Sequence, residues 1–354
     1  MIRESIQKLV EGTNLTTEES RQTMMEIMCG QATNAQTASF LTALRLKGET
    51  VEELTAFAKV MRENCCRIKP NVQGRLVDTC GTGGDRLKTF NISTTAAFVV
   101  AGAGVAVAKH GNRSVTSKSG SADVLEKLGV NLNVEPKAVE KIIEQVGVGF
   151  MFAPAFHPAM KYAVAPRKEI GIRTVFNVLG PLTNPACANA QLLGVYDSKL
   201  TLPLAYTLKS LGCEEAMVVY GVDGLDEIST IGKTDIAWLR EGEVAELETI
   251  PKDFGVKKAK IDELQGGTPE ENAETLFRIL NGCLFAADEA KKDIVLVNAA
   301  AGIIVGGQAE DFTYGIEVAR KSLENGAAYQ KLKALAKASG GTLERLEELE
   351  SRNA

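Results

Sequence analysis

Leu76-Val77-Asp78-Thr79-Cys80-Gly81-Thr82-Gly83-Gly84-Asp85 begins as a short apolar strand and ends in a glycine-rich turn. Asn91-Ile92-Ser93-Thr94-Thr95 then leads into an apolar helix, Ser93–Gly102, and Val105–Ala108 reads as the next strand. Strand, glycine turn, helix, strand is the repeating unit of a parallel sheet. The alternation continues through helices at Ser121–Leu128 and Pro136–Val146 and a strand at Gly149–Phe152. Beyond a helical middle come a strand at Leu192–Tyr196, a helix at Lys199–Leu211 and a strand at Ala216–Tyr220. Thr234–Leu239 and Val244–Leu247 read as a hairpin, and Pro269–Leu280, Ile294–Val305, Gly315–Leu323 and Gln330–Ala338 return to helix. The charged run Glu344–Ala354 reads as a solvated or frayed helix end.

Upstream, the pattern is helical throughout. Thr16-Thr17-Glu18-Glu19 and Thr50-Val51-Glu52-Glu53 are capping boxes, and Gln36–Lys47 carries Phe40, Leu41 and Leu44 in helical phase before Gly48 stops it. The expected fold is therefore α/β. A small all-helical domain, residues 1–70, precedes a larger domain, residues 75–354, with a mostly parallel central sheet and a helical C-terminal part. Short amphipathic helices in so small a unit cannot bury all their apolar faces alone. They are expected to pack on the rest of the chain or on a second copy.

The 354 residues are 45% hydrophobic, with 40 basic against 45 acidic side chains and a net charge of −5. This composition excludes disorder as the main state and makes duplex nucleic acid a poor electrostatic partner. The two histidines, His110 and His157, cannot supply a three-histidine zinc site. Seven scattered cysteines with no C-x-x-C, and no signal peptide, point to a reduced, cytoplasmic protein. The longest apolar stretch, near Ala96–Ala108, is shorter than the ~20 residues that span a bilayer.

Four segments carry chemistry. Three glycines in the four residues 81–84 let the backbone approach a ligand and turn its N–H groups inward, and Asn91–Thr95 sets hydroxyls at a helix N-terminus, where anions bind. Gly81-x-Gly83 lacks the third glycine of a dinucleotide fingerprint, and Ile231-Gly232-Lys233-Thr234 lacks the upstream glycine of a P-loop, so the latter is a turn before a strand. Lys109-His110-Gly111-Asn112-Arg113-Ser114-Val115-Thr116-Ser117-Lys118-Ser119-Gly120-Ser121 sits at the carboxyl end of a strand, where open α/β sheets bind ligands. Its cations and hydroxyls suit a phosphate-rich small molecule. Asp223-Gly224-Leu225-Asp226-Glu227 follows another strand. Alone it reads as an exposed acidic turn; beside two phosphate-binding segments it reads as the magnesium anchor for a pyrophosphate. In Ala165-Pro166-Arg167-Lys168-Glu169-Ile170-Gly171-Ile172-Arg173, upstream of Asn177–Pro185, either arginine suits a bidentate carboxylate contact or a structural ion pair.

In this order, Gly81–Asp85, Asn91–Thr94, Lys109–Arg113, Gly120–Asp123, the Arg167 segment, Asn177–Pro185 and Asp226-Glu227 resemble the anthranilate phosphoribosyltransferase family over nearly the whole chain. The resemblance implies a homodimer joined through the helical domains, with a helical segment near 160–180 packed on them and ligands at the hinge between domains. It implies transfer of the phosphoribosyl group of 5-phosphoribosyl 1-pyrophosphate to anthranilate, the second step of tryptophan biosynthesis, with two Mg2+ ions. Carried over residue by residue, Gly81, Gly84, Asp85, Thr89, Asn91, Ile92, Ser93 and Thr94 hold the pyrophosphate and ribose. Lys109, His110, Gly111, Asn112, Arg113, Ser114, Val115, Thr116, Ser117 and Ser121 hold the remainder of the donor. Gly81, Asn112 and Arg167 contact anthranilate; Ser93, Asp226 and Glu227 serve the metal; and Lys109, His110, Asp226 and Glu227 are the catalytic set, with His110 orienting or relaying rather than acting as an obligatory base. Two other readings compete. A pyrimidine nucleoside phosphorylase has no magnesium pyrophosphate to hold, and a nucleic-acid-binding relative without activity calls for a basic excess that this chain lacks.

Overall fold

The structure is a computed structural model that describes residues 1–83, 87–114 and 119–353. Four helices come first: α1 (Ile2–Val10), α2 (Thr17–Met28), α3 (Asn34–Lys47) and α4 (Val51–Glu63). Thr16 with Glu19, Thr33 with Gln36 and Thr50 with Glu53 close reciprocal capping boxes on α2, α3 and α4. Each satisfies two N-terminal N–H groups that the helix itself leaves without partners.

The α/β part then runs β1 (Leu76–Gly81), α5 (Ile92–Gly102), β2 (Ala106–Gly111), α6 (Ser121–Lys127), α7 (Pro136–Val146) and β3 (Val148–Phe152). Three helices return the chain toward the N-terminal bundle: α8 (Ala153–Phe156), α9 (Lys161–Ile170) and α10 (Phe176–Leu182). Next come β4 (Ala190–Gly194), α11 (Thr201–Ser210), β5 (Glu215–Gly221), β6 (Thr234–Arg240) and β7 (Glu243–Thr249). The chain ends in α12 (Pro269–Asn281), α13 (Glu289–Val305), α14 (Phe312–Glu324), α15 (Ala327–Ala338) and α16 (Glu344–Asn353).

The described strands form one sheet in the order β3-β2-β1-β4-β5-β6-β7, parallel through β5 and antiparallel across β5–β6 and β6–β7. After β3 the chain crosses back to the other side of β1, so the direction of winding reverses between β1 and β4. In an open parallel sheet that reversal opens a crevice above the carboxyl ends of the two strands. The expected α/β fold, with its helical N-terminus, parallel sheet and helical C-terminal part, is the observed one.

Burial follows the two-residue period of the strands. Leu192, Met217 and Val219 enter a core shared with α5, α12, α13 and α15, whereas Leu193, Ala216 and Val218 enter one shared with the N-terminal helices. The second cluster joins Phe40, Leu44 and Phe57 to Ala163, Phe176 and Leu204 without a break. The bundle thus has no separate core: α9 packs on α2 and α3, and α10 and α11 on α4.

The C-terminal run, expected as a solvated or frayed helix end, is a helix that is solvated on one face only and is not frayed. Residues 344–353 form α16, with Leu346 and Leu349 buried in the main core, and only its outer face carries the charges that dominate the sequence. Among the described residues, no helix is long and apolar enough to cross a membrane.

Candidate active site at the sheet switch point

β1 and β4 end side by side, with Gly81 in register with Gly194. The loop after β5 lies across both. A Cβ at Gly194 would stand 1.6 Å from the Asp226 carbonyl oxygen, and one at Gly81 would stand 2.7 Å from Asp226 Oδ2. Glycine is required on both strands for this loop to cross the crevice. The Gly83 N–H, in the left-handed region at φ 68°, donates to Asp226 Oδ2 at 3.1 Å, and the Ser93 N–H donates to Glu227 Oε1 at 3.1 Å. The two carboxylates therefore face the glycine turn and the first turn of α5.

Lys109, near the end of β2, is buried beneath these groups. Its Nζ donates to the Thr79 carbonyl, with Thr79 Oγ1 at 3.5 Å and Ser93 Oγ at 3.4 Å. Asp78 lies alongside and is fully buried; it accepts from the His110 N–H at 3.2 Å and from Asn184 Nδ2 at 2.8 Å. Burial pushes the Asp78 carboxyl up to about 6 against the pull of Lys109, and burial lowers the Lys109 ammonium against the pull of Asp78 and then of Cys80 and Glu227. Neither Asp78 nor Asn184 is among the site residues that the sequence proposes. Asp78 stands inside a strand that reads as apolar, and Asn184 lies 106 positions away, so only the fold makes them neighbours.

The two histidines stand side by side, with ring centroids 5.0 Å apart and planes tilted by 47°. The His110 ring bonds the Gly180 carbonyl and the His157 ring that of Thr183, while the Nε2 atoms have no partner among the described residues. Burial, with His157 adding to it, pushes His110 down to about 3; burial pushes His157 down to about 4. Both rings are neutral at neutral pH. The end of α10 thus aims both imidazoles with its own terminal carbonyls, while Asn184 clips the following turn to Asp78 and to the Ala108 carbonyl at 2.8 Å.

The remaining candidates divide. Asn91 stands half-buried at the N-cap position of α5, Ile92 and Thr94 are buried in its first turn, and Thr89 bridges to Gln265 ahead of it. Gly111 admits Ser121 Oγ and the Phe150 ring, which a Cβ would meet at 2.3 and 2.6 Å. The Asn112 carbonyl accepts from Ser121 Oγ at 3.3 Å, and the Ser114 N–H donates to Asp123 at 3.1 Å. Arg113 is turned to α6: its guanidinium binds Asp123 and Glu126 at 2.8–3.0 Å and covers the Phe152 ring. Arg167, half-buried on α9, stacks over Phe176 at 5.3 Å and makes no ion pair among the described residues, whereas Arg173 stacks on Tyr196 at 4.1 Å. Gly84, Asp85, Val115, Thr116 and Ser117 lie outside the described residues.

A magnesium ion fits this donor set. Among the described residues no three His, Cys, Asp or Glu side chains converge as an all-protein cage. Two adjacent carboxylates beside a glycine turn and a helix N-terminus are a set that Mg2+ uses when substrate oxygens and waters complete its shell.

Residues 3–65 match the helical bundle domain of the glycosyl transferase family, and residues 73–329 match that family's a/b domain. Anthranilate phosphoribosyltransferase from Petrotoga mobilis is 50% identical over 330 residues, covering 93% of this chain and 94% of its own length. The enzyme of that name from Acetivibrio thermocellus is 52% identical over 332 residues, covering 94% and 95%. Among solved structures, the anthranilate phosphoribosyltransferase of Thermus thermophilus superposes with a TM-score of 0.89 at 39% identity over 95% of this chain and 99% of its own. That of Saccharomyces cerevisiae, in complex with PRPP and Mg, superposes with a TM-score of 0.87 at 30% identity, covering 96% and 98%.

Proposed function

The chain belongs to the anthranilate phosphoribosyltransferase family, and from that premise we propose that its switch-point cleft joins anthranilate to 5-phosphoribosyl 1-pyrophosphate. The products are N-(5-phosphoribosyl)anthranilate and pyrophosphate. One observation carries the reading: Asp226 and Glu227 lie across the glycine ends of β1 and β4, against the first turn of α5 and above the buried Lys109. Anionic leaving group, cation and N–H donors thereby have one meeting place.

Asp226, Glu227 and Ser93 would hold magnesium, two ions in our reading, which when bound would supply positive charge against the pyrophosphate. Lys109 and the N–H groups of the glycine turn and α5 stand fixed before the reaction, so stabilising the leaving group costs no reorganisation. Arg167, with no carboxylate of its own among the described residues, is free to fork onto the anthranilate carboxylate, and Asn112 and Gly81 are the other anthranilate contacts in this reading. The anthranilate amine is a weak base whose lone pair is available without prior deprotonation. His110, neutral and held by Gly180, therefore orients the amine or relays its proton after attack rather than supplying a strong base.

The protein acts in the cytoplasm as a dimer joined through its helical domains. Val10, Leu46 and Val164 on the adjoining helices α1, α3 and α9 are 70%, 84% and 55% exposed, an apolar surface that a second copy would cover. The activity is tested by following loss of anthranilate fluorescence with and without the phosphoribosyl donor and magnesium. Depletion is expected only with both present; depletion without the donor, or none with both, overturns the assignment.

A further inference from the structure

We propose that Asn272, on α12 and 181 positions away in sequence, is a positioning residue that decides which end of the Asn91 amide faces the ligand cleft. The inference rests on the reading of Asn91 as a contact to the phosphoribosyl donor.

An asparagine N-cap ordinarily turns its side-chain oxygen back onto its own helix. Asn91 makes no such bond to α5. Its Oδ1 instead accepts from Asn272 Nδ2 at 3.0 Å and from Ser119 Oγ at 3.4 Å, and its Nδ2 donates to the Ser119 carbonyl at 3.3 Å. The direction of this relay is set by a group that can only donate. The backbone N–H of Gly267 bonds Asn272 Oδ1 at 2.8 Å, which leaves Nδ2 as the end of Asn272 that meets Asn91. Rotating the Asn91 amide would oppose two NH2 groups at Asn272 and two carbonyls at Ser119.

Packing holds the relay in place. Asn272 is buried, and Thr268 with Glu271 caps the start of α12. Gly266 lies so close to the segment before α5 that a Cβ there would stand 2.6 Å from the Thr89 carbonyl oxygen. Asn91 Nδ2 carries two hydrogens, and Ser119 takes one. The other has no acceptor among the described residues and is left for the cleft, so Asn91 presents a donor, and not a lone pair, to an anionic ligand.

The test uses the full-length protein, with steady-state kinetics in both substrates and thermal unfolding of each variant. Asn91→Ala checks the underlying reading: the KM for the phosphoribosyl donor should rise, and an unchanged value removes that reading rather than the relay. Asn272→Asp keeps the shape of the side chain but offers Asn91 an acceptor, which drives the Asn91 amide to turn over; Asn272→Ala only removes a partner. The donor KM should rise about tenfold in Asn272→Asp and about two- to threefold in Asn272→Ala, with kcat and the anthranilate KM near wild type. A purely structural role gives the opposite order, since the isosteric change disturbs packing less, and that order overturns the proposal. If Asn272→Asp does not fold, Asn91→Asp decides. It satisfies both Asn272 and Ser119 Oγ yet shows the cleft no N–H, so a wild-type donor KM in that variant overturns the proposal equally.

Discussion

Burial at the level of single side chains sets the chemistry of this cleft. His110 and His157 are held neutral well below the ordinary imidazole range. An imidazole that stays neutral in the fold but takes a proton when unfolded contributes stability that is complete above about 6.5, its unfolded value. That stability is lost as pH falls from there toward about 3 for His110 and about 4 for His157. Chemical denaturation at pH 7.5 and pH 5 should therefore show a smaller acid loss in His157→Gln than in wild type, since the amide never charges. An equal loss in both would assign acid sensitivity to other groups. The catalytic claim is tested at the same scale. Because charge stabilisation outweighs base catalysis in this reading, Asp226→Asn with Glu227→Gln should cost about 100-fold or more in kcat/KM, and His110→Ala about tenfold. Steady-state kinetics giving the reverse order would remove His110 from its orienting role.

Among the elements, the N-terminal helices show how a local motif and a tertiary contact share one atom set. Glu53, the third residue of α4, closes its capping box and is also fully buried: it binds Lys47 Nζ at 2.8 Å and the Leu15 and Thr50 N–H groups at 2.9 Å each. Removing one partner of a buried pair strands the other charge. Glu53→Ala should destabilise the fold by about 3–5 kcal/mol, visible as a clear drop in the thermal midpoint. Glu19→Ala, which removes a half-buried capping residue on α2, should cost about 1 kcal/mol. The capping box was legible in the sequence at both helices. The difference between them was not, because burial of Glu53 arises from the loop at Leu15 folding over it. The same limit explains α16: its charges fill the sequence, but its two buried leucines find their partners only in the assembled core.

At the scale of the whole molecule, the bundle and the sheet share one core while the outer faces of α1, α3 and α9 keep apolar side chains in solvent. If these form the dimer contact, Leu46→Glu should convert the protein from dimer to monomer in sedimentation velocity without loss of helical content. A dimer that survives this change would place the contact elsewhere.

The sequence by itself determined the order of strands and helices along the chain, the glycine turn after β1 and the capping boxes of α2 and α4. Each of these rests on local physics: side-chain period, backbone freedom at glycine, and hydrogen bonds within a few residues. Only the tertiary structure decided that the carboxylate loop seats on Gly81 and Gly194, that Asp78 and Asn184 meet under Lys109, that Arg113 turns to α6, and that Asn272 reaches Asn91 from 181 residues away. Such contacts depend on which strands become neighbours where the winding of the sheet reverses, and no local pattern encodes that adjacency.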